Sequence, residues 1–310
     1  MKMLNDIIFN PTLATILFYL VPALTIGATI FLYVLHMKLV KAGHPKALKW
    51  LVEPIPIRPF IKSRRFQSPL DGSSGTSDAP VHDGKSKIAY VFKQLGFRIV
   101  FFVILAAIIF TAAIQSILFH ECGHGFVSEI VGGIWIQVNI GIFTGLSFSH
   151  LPYPPTDWTT YYWAWSWIYA GGFLISSIVG IAFLLFLLIP QIRRSFYASL
   201  FCFANGIVSL TYGAEGWYGE SWNVLYGHPL SYSDLTGLLQ FQGYLNTGLS
   251  PQIILDWMIG LLITIQTIMM LVGMKLWRIH YPNHRFSQFW FLVVIELVWW
   301  YFLISAVIYN

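Results

Sequence analysis

Long apolar runs constrain this chain more than any other feature of its sequence. Hydrophobic residues make up 56% of the 310 residues and charged residues only 10%. A helix needs about 20 apolar residues to cross a bilayer, and several runs reach that length. The sequence therefore predicts an all-α polytopic membrane protein. We expect six transmembrane helices, over residues 12–35, 99–129, 163–189, 195–213, 253–277 and 289–309.

The basic residues follow the predicted membrane topology. Of the 18 Lys and Arg residues, all but Lys2 fall in the loops after the first, third and fifth spans or, for Lys275, at the end of the fifth span. The positive-inside rule assigns such loops to the cytoplasm, which predicts that both termini lie outside. A net charge of +5 distributed in this way gives no indication of nucleic-acid binding.

The first long loop, residues 37–98, has two parts of different composition. Residues 46–66 mix Trp, Ile and Phe with Lys and Arg, as expected of a segment on the anionic lipids of the inner leaflet. The alternative is a solvated loop that only sets the topology. Residues 71–87 are rich in Gly, Ser and Asp and are expected to form a flexible linker. The first apolar run is too long for a signal-peptide core, so we expect it to remain in the mature protein.

The second apolar run ends in a metal-binding motif. Residues 120–124 read His-Glu-Cys-Gly-His, a pattern expected by chance only about 0.005 times in a chain of this composition. On a helix, His120 and His124 project from the same face and can share one zinc ion. Glu121 is positioned to take a proton from a water bound to that ion. The motif predicts hydrolysis of peptide bonds in or near the bilayer.

A catalytic zinc site needs a third protein ligand and an open position for water. Residues 213–248, predicted as a loop on the same side of the membrane as the motif, contain Glu215, Glu220, His228 and Asp234. We favour Asp234, because it precedes an apolar stretch and is expected at an electropositive helix N-terminus that keeps a carboxylate ionised. The alternative is that Asp234 caps the helix and one of the other three is the ligand.

Two further regions are candidates for binding a substrate. Residues 134–148 alternate apolar with small or polar residues, which favours short strands. An edge strand beside the zinc could pair with an extended substrate, or the segment could be an ordinary interfacial hairpin. His150, just after the strands, is a candidate for contacting substrate. Asn205, in the middle of the fourth span, is another, unless it ties two helices together.

The assembled residues resemble the site-2 protease family of intramembrane zinc metalloproteases. The resemblance covers roughly residues 100–190 and implies zinc bound by His120 and His124, with Glu121 as catalytic base. It also implies a downstream Asp as third ligand, for which Asp234 is the best position. The matching segments are His120 to Gly125, the pair Gly132 and Gly133, Asn139 to Phe143, and Tyr169 to Gly172.

The expected organisation follows from the spans and the motif. It comprises a first transmembrane helix (1–36), a basic cytoplasmic loop with a flexible linker (37–98), a metalloprotease-like membrane core (99–250) and two C-terminal transmembrane helices (251–310). The expected partners are a membrane-protein substrate and the lipid bilayer. The alternative function is a non-proteolytic subunit or chaperone of a larger membrane complex. A redox metalloenzyme is a weaker possibility, because the sequence lacks the repeated carboxylate and His motifs of a di-iron site.

Overall fold

The computed structural model describes residues 7–44, 84–141, 145–152, 157–226 and 233–281. The chain forms two compact units, one of residues 1–53 and 108–310 and one of residues 54–107. In the second unit the described residues, 84–107, are helical; the sheet, the helix packing and the sites described below belong to the first. The described helices are α1 (Pro11–Lys41), α2 (Gly84–Ile130), α3 (Trp158–Phe186), α4 (Pro190–Arg194), α5 (Phe196–Leu225), α6 (Asp234–Tyr244) and α7 (Pro251–His280).

Five of these helices are long and apolar enough to cross a membrane. They are α1, the Val103–Ile130 part of α2, α3, α5 and α7. The prediction of an all-α polytopic membrane protein is confirmed, and the strand-like insertion after the motif helix is present as a small sheet. The sixth predicted span, residues 289–309, and the predicted lipid-contacting segment, residues 46–66, lie outside the described residues.

The helix α1 begins with a strong local signal. Asn10 caps it by accepting a hydrogen bond of 2.8 Å from the Leu13 N–H, and Pro11 occupies the first turn, where its missing N–H costs nothing. Only 6% of the most apolar window of α1 is buried within the protein. Phe18 contacts α2, with its ring edge-on to Phe119 at a centroid distance of 5.0 Å. Most of α1 is therefore exposed in the part of the chain that the structure describes.

The helix α5 lies at the centre of the helical core. In its most apolar window 78% of the residues are buried, and it packs against both α3 and α7. Small residues permit this close packing: a Cβ added to Gly206 would lie 2.7 Å from Leu184 Cγ, and one added to Gly180 would lie 2.9 Å from the Gly206 carbonyl oxygen. Glycine–glycine approaches of this kind are common between membrane helices.

The three described strands form one antiparallel sheet in the order β1 (Ile7–Phe9), β2 (Ile134–Ile140), β3 (Gly145–His150). Ile7 pairs with Ile140, Val138 pairs with Ser147, and the register shifts between Trp135 and Gln137. The hairpin of β2 and β3 matches the prediction from alternation. The strand β1 was not predicted, because three apolar residues carry no alternation.

Two predicted boundaries are wrong. The fourth span does not end at residue 213, since α5 continues to Leu225 and α6 forms within the predicted loop. The Gly- and aromatic-rich composition suggested a loop, but Trp217 and Ser221 are buried, and tertiary packing outweighs the low intrinsic helix preference. The second correction concerns α2, which begins at Gly84, so the end of the predicted flexible linker is helical.

Candidate metal centre

The His-Glu-x-x-His motif lies near the C-terminal end of α2 and is buried. The exposed fraction is 6% for His120, 5% for Glu121 and 6% for His124. A spacing of four residues brings both imidazoles to one side of the helix, where their centroids are 4.8 Å apart and their planes meet at 80°. Ionisable side chains so deeply buried in a membrane-spanning helix are costly and are usually functional.

The backbone of α3 holds His124 in one orientation. Its Nδ1 lies 2.6 Å from the carbonyl oxygen of Ile168. A carbonyl oxygen only accepts, so Nδ1 donates this hydrogen bond and Nε2 is the nitrogen that faces the site. Histidines that ligate metals are commonly oriented in this way. The His120 ring lies edge-on to Tyr212 at a centroid distance of 5.2 Å.

Asp234 completes a group with the two histidines. Its Oδ2 lies 2.8 Å from His120 Nε2 and 3.1 Å from His124 Nε2. One potential ligand atom from each residue lies within 4.8 Å of the other two. Ligand atoms around a tetrahedral zinc ion lie roughly 3.3–3.5 Å apart, which is comparable with this spacing. The three residues, called the metal group below, could therefore hold a metal ion.

The start of α6 positions Asp234. Ser233 caps α6 through a reciprocal pair of hydrogen bonds with Thr236, which leaves the Asp234 side chain free to face the histidines. Glu220 of α5 accepts a hydrogen bond of 3.0 Å from the Leu235 N–H and so ties the same turn to α5. The helix N-terminus predicted for Asp234 is present, but Ser233 is the capping residue.

The electrostatic surroundings keep Asp234 ionised. Burial by itself raises the pKa of a carboxyl group. At Asp234 the charge of His124 and the hydrogen bonds from His120 and His124 outweigh burial, and they hold the pKa of Asp234 well below its usual range. The Asp234 side chain is 29% exposed, whereas the histidine side chains are 8% exposed. Asp234 therefore lies on the open side of the group.

Gly172 of α3 provides the space in front of the two imidazoles. A Cβ added there would lie 2.6 Å from His120 Nε2 and closer still to His124 Nε2. Gly123 and Gly171 bring α2 and α3 together, since a Cβ on Gly171 would lie 2.8 Å from the Gly123 carbonyl oxygen. A side chain at position 172 would fill the space beside both Nε2 atoms, so this glycine fits a site that accommodates an ion.

The strand β3 lies directly against Glu121. The Ser147 backbone lies beside the Glu121 carboxylate. A Cβ on Gly145 would lie 2.7 Å from Glu121 Oε1, so only glycine allows the strand to approach this closely. The described sheet has β3 at its edge, and this contact brings the strand to the carboxylate next to His120.

The other predicted site residues lie apart from these contacts. The Asn205 amide donates a hydrogen bond of 3.0 Å to the Phe201 carbonyl oxygen one turn earlier in α5, and its Oδ1 is buried without a partner in the part of the chain that the structure describes. His150 is exposed at the end of β3. Neither observation tests a role in substrate binding. Glu215 is half-buried on α5, and His228 lies outside the described residues.

Sequence reasoning missed the Ile168 carbonyl, the role of Glu220 in fixing α6, and Gly172. Gly172 was noted only as the end of a segment that matches the site-2 protease family. A carbonyl group gives no sequence signal, and the partners of Glu220 and Gly172 are distant in the chain.

No protein-family model, curated protein or solved structure matches the chain. The assignment of this centre therefore rests on its own geometry.

Proposed function

We propose that this protein is an intramembrane zinc metalloprotease that hydrolyses peptide bonds of membrane proteins in or near the bilayer. The observation that carries the proposal is the metal group of His120, His124 and Asp234 beside the buried carboxylate of Glu121. Two nitrogen donors and one carboxylate oxygen form a ligand set typical of catalytic zinc, and such sites keep one position open. The resemblance to site-2 proteases agrees with this ligand set.

His120, His124 and Asp234 would hold the zinc ion. When bound, zinc polarises a carbonyl group and lowers the pKa of water to about 7. The protein contributes the orientation: Ile168 fixes the His124 ring, and the capped start of α6 fixes Asp234. Gly172 keeps the space between the two Nε2 atoms clear.

Glu121 is the residue we assign to proton transfer. It follows His120 on α2, so it lies beside the metal group without belonging to it. Its carboxylate accepts the proton of the attacking water and passes it to the leaving amine. Gly145 of β3 packs directly against the carboxylate, so that the base has a fixed position relative to β3.

The strand β3 is the surface we assign to the substrate. A peptide bond within a helix is closed to attack, so the substrate must be extended before hydrolysis. An extended segment can pair with an edge strand through main-chain hydrogen bonds, and β3 is an edge of the described sheet. A segment paired there would lie beside Glu121, since Gly145 and Ser147 of the same strand contact that carboxylate.

The test is a comparison of membranes from cells that produce the wild type, Glu121→Gln or Glu129→Gln. Glu129 is the control, because it is an exposed carboxylate on the same helix. Terminal-peptide mass spectrometry should find new protein termini in or near membrane spans with the wild type and Glu129→Gln. With Glu121→Gln they should fall at least about 100-fold, the usual contribution of a general base. Identical termini in all three samples would refute proteolysis.

A further inference from the structure

The short helix α4 and the last turns of α7 bring four cationic side chains to one pocket. Arg193 and Arg194 are in the last turn of α4, and Lys275 and Arg278 lie three positions apart on α7. They line a cavity of about 620 Å³. In sequence the two arginines of α4 are separated from Lys275 and Arg278 by the whole of α5 and α6. The fold brings these residues, which are distant in sequence, to the same pocket.

The cavity has a strong positive charge that the described protein does not neutralise. No acidic residue is among its described lining, and the ion pairs found among described residues are those of Asp234 with the two histidines. Like charges gathered in one cavity repel each other, and a bound anion relieves that repulsion. Arg193 and Arg194 can each form paired hydrogen bonds with a phosphate, and Lys275 adds a point charge.

The rest of the lining is apolar. It consists of Leu271, Met274 and Ile279, and Leu271 is 59% exposed. Leu271 precedes Lys275 by one helical turn, towards the middle of the α7 span. Leu271 and Met274 therefore provide an apolar surface on the bilayer side of Lys275 and Arg278, whereas Ile279 lies beyond Arg278 at the end of the helix. A glycerophospholipid has the same order of phosphate and acyl chain, whereas a free phosphate would use only the charged half.

We propose that this pocket binds the headgroup phosphate of an anionic glycerophospholipid, with an acyl chain along Leu271 and Met274. In the orientation that the positive-inside rule predicts, the pocket faces the inner leaflet, where anionic lipids are concentrated. A lipid held there bridges α4 and α7. The site is independent of the metal group and does not rest on the proposed protease activity.

The test is native mass spectrometry of the full-length protein purified in detergent. Phosphatidylglycerol and phosphatidylcholine with identical acyl chains are titrated separately, and glycerol 3-phosphate serves as the soluble competitor. We expect one phosphatidylglycerol to be retained per chain with at least about tenfold preference over phosphatidylcholine. The Arg193→Gln/Lys275→Gln variant should bind phosphatidylglycerol about 30-fold more weakly. It loses two cationic side chains, each with the attraction to anionic lipid that is typical at a bilayer surface.

The control variant is Lys38→Gln/Lys41→Gln, which removes two exposed cations from the last turn of α1. It should change the affinity by less than about twofold if the pocket, and not total charge, binds the lipid. The charge-preserving Arg193→Lys/Lys275→Arg variant should retain binding, which separates lost charge from lost folding. Equal binding of the two lipids, equal weakening in pocket and control variants, or equally tight binding of glycerol 3-phosphate would overturn the proposal.

Discussion

The charged and titratable residues near the two ends of α5 differ in burial and in hydrogen bonding. Near its C-terminal end, Glu220 and the metal group are buried or half-buried and are hydrogen-bonded to backbone or to one another. Near its N-terminal end, Arg194 and Arg278 are exposed and line the pocket formed by α4 and α7. Among the described residues, no carboxylate pairs with either arginine.

This difference indicates where chemistry and where surface binding are expected. A buried ionisable group in a membrane protein costs free energy unless it is paired, and such groups are kept mainly for function. Exposed cations at the end of a span cost little and contribute to topology and lipid contact. The C-terminal end of α5 is therefore the expected reaction centre, and the N-terminal end is expected to contact lipid headgroups.

Gly172→Ala should have the largest effect at the metal end. The new Cβ would occupy the space beside His120 Nε2 and His124 Nε2. We expect zinc affinity to fall about 100-fold, the upper range for changes beside metal ligands. Competition with a chromophoric chelator measures the affinity. Gly260→Ala is the control, since a Cβ there meets nothing within 4 Å; equal affinities in both variants would contradict the assigned role of Gly172.

Glu220→Ala should have a smaller effect at the same end. Its loss would leave the Leu235 N–H without an acceptor and loosen the turn that carries Asp234. We expect about tenfold weaker zinc binding, measured by the same competition. Glu220→Gln keeps an acceptor oxygen and should restore most of the affinity. Glu215→Ala changes a half-buried carboxylate on the same helix and should bind zinc normally. Equal weakening of zinc binding in Glu215→Ala and Glu220→Ala would contradict the role of Glu220 in positioning Asp234.

The contribution of Asp234 to the stability of the folded protein should decrease at low pH. Its pKa is held below the usual range, so its contribution is present above the ordinary carboxyl pKa of about 3.9 and is lost as pH falls towards the folded-state pKa. In chelator-treated protein, Asp234→Asn should lower the unfolding midpoint by about 2–5 °C. The difference should be no smaller at pH 5 than at pH 7 and should narrow below about pH 4. A difference already absent at pH 5 would contradict the lowered pKa.

Changes at the basic end should have the smallest effect on the metal centre. Arg194 and Arg278 are exposed and lie at the opposite end of α5 from Glu220. Arg194→Gln/Arg278→Gln should therefore leave zinc content unchanged within about twofold, because exposed charges at such a separation are screened. Elemental analysis of the purified variant measures its zinc content. A loss of zinc comparable to that of Gly172→Ala would mean that the two ends are coupled.

Much of the fold and of the centre could be predicted from local patterns. The i,i+4 spacing of His120 and His124 specifies a shared helical face, and the run after Asp234 correctly predicted a helix starting there. Alternation predicted β2 and β3. Each of these signals lies within a few residues of the feature it specifies.

The rest depends on contacts between distant segments. Gly172 acts through histidines on another helix, and α5 extends to Leu225 because buried packing supports Gly213 and Gly219 within it. The three-residue β1 exists only because β2 pairs with it. Hydropathy and spacing do not identify such distant partners. The sequence therefore predicted a loop after residue 213 and no strand before α1.

The most direct test of the metal centre is the metal content of detergent-purified protein by elemental mass spectrometry, with Asp234→Ala and Asp256→Ala measured alongside. Asp256 is exposed on α7, and its side chain accepts a hydrogen bond from the Gln252 side chain. We predict near-stoichiometric zinc in the wild type and in Asp256→Ala, and a large loss in Asp234→Ala. A wild type without zinc after chelator-free purification, or Asp234→Ala with full zinc, would contradict the three-residue metal centre.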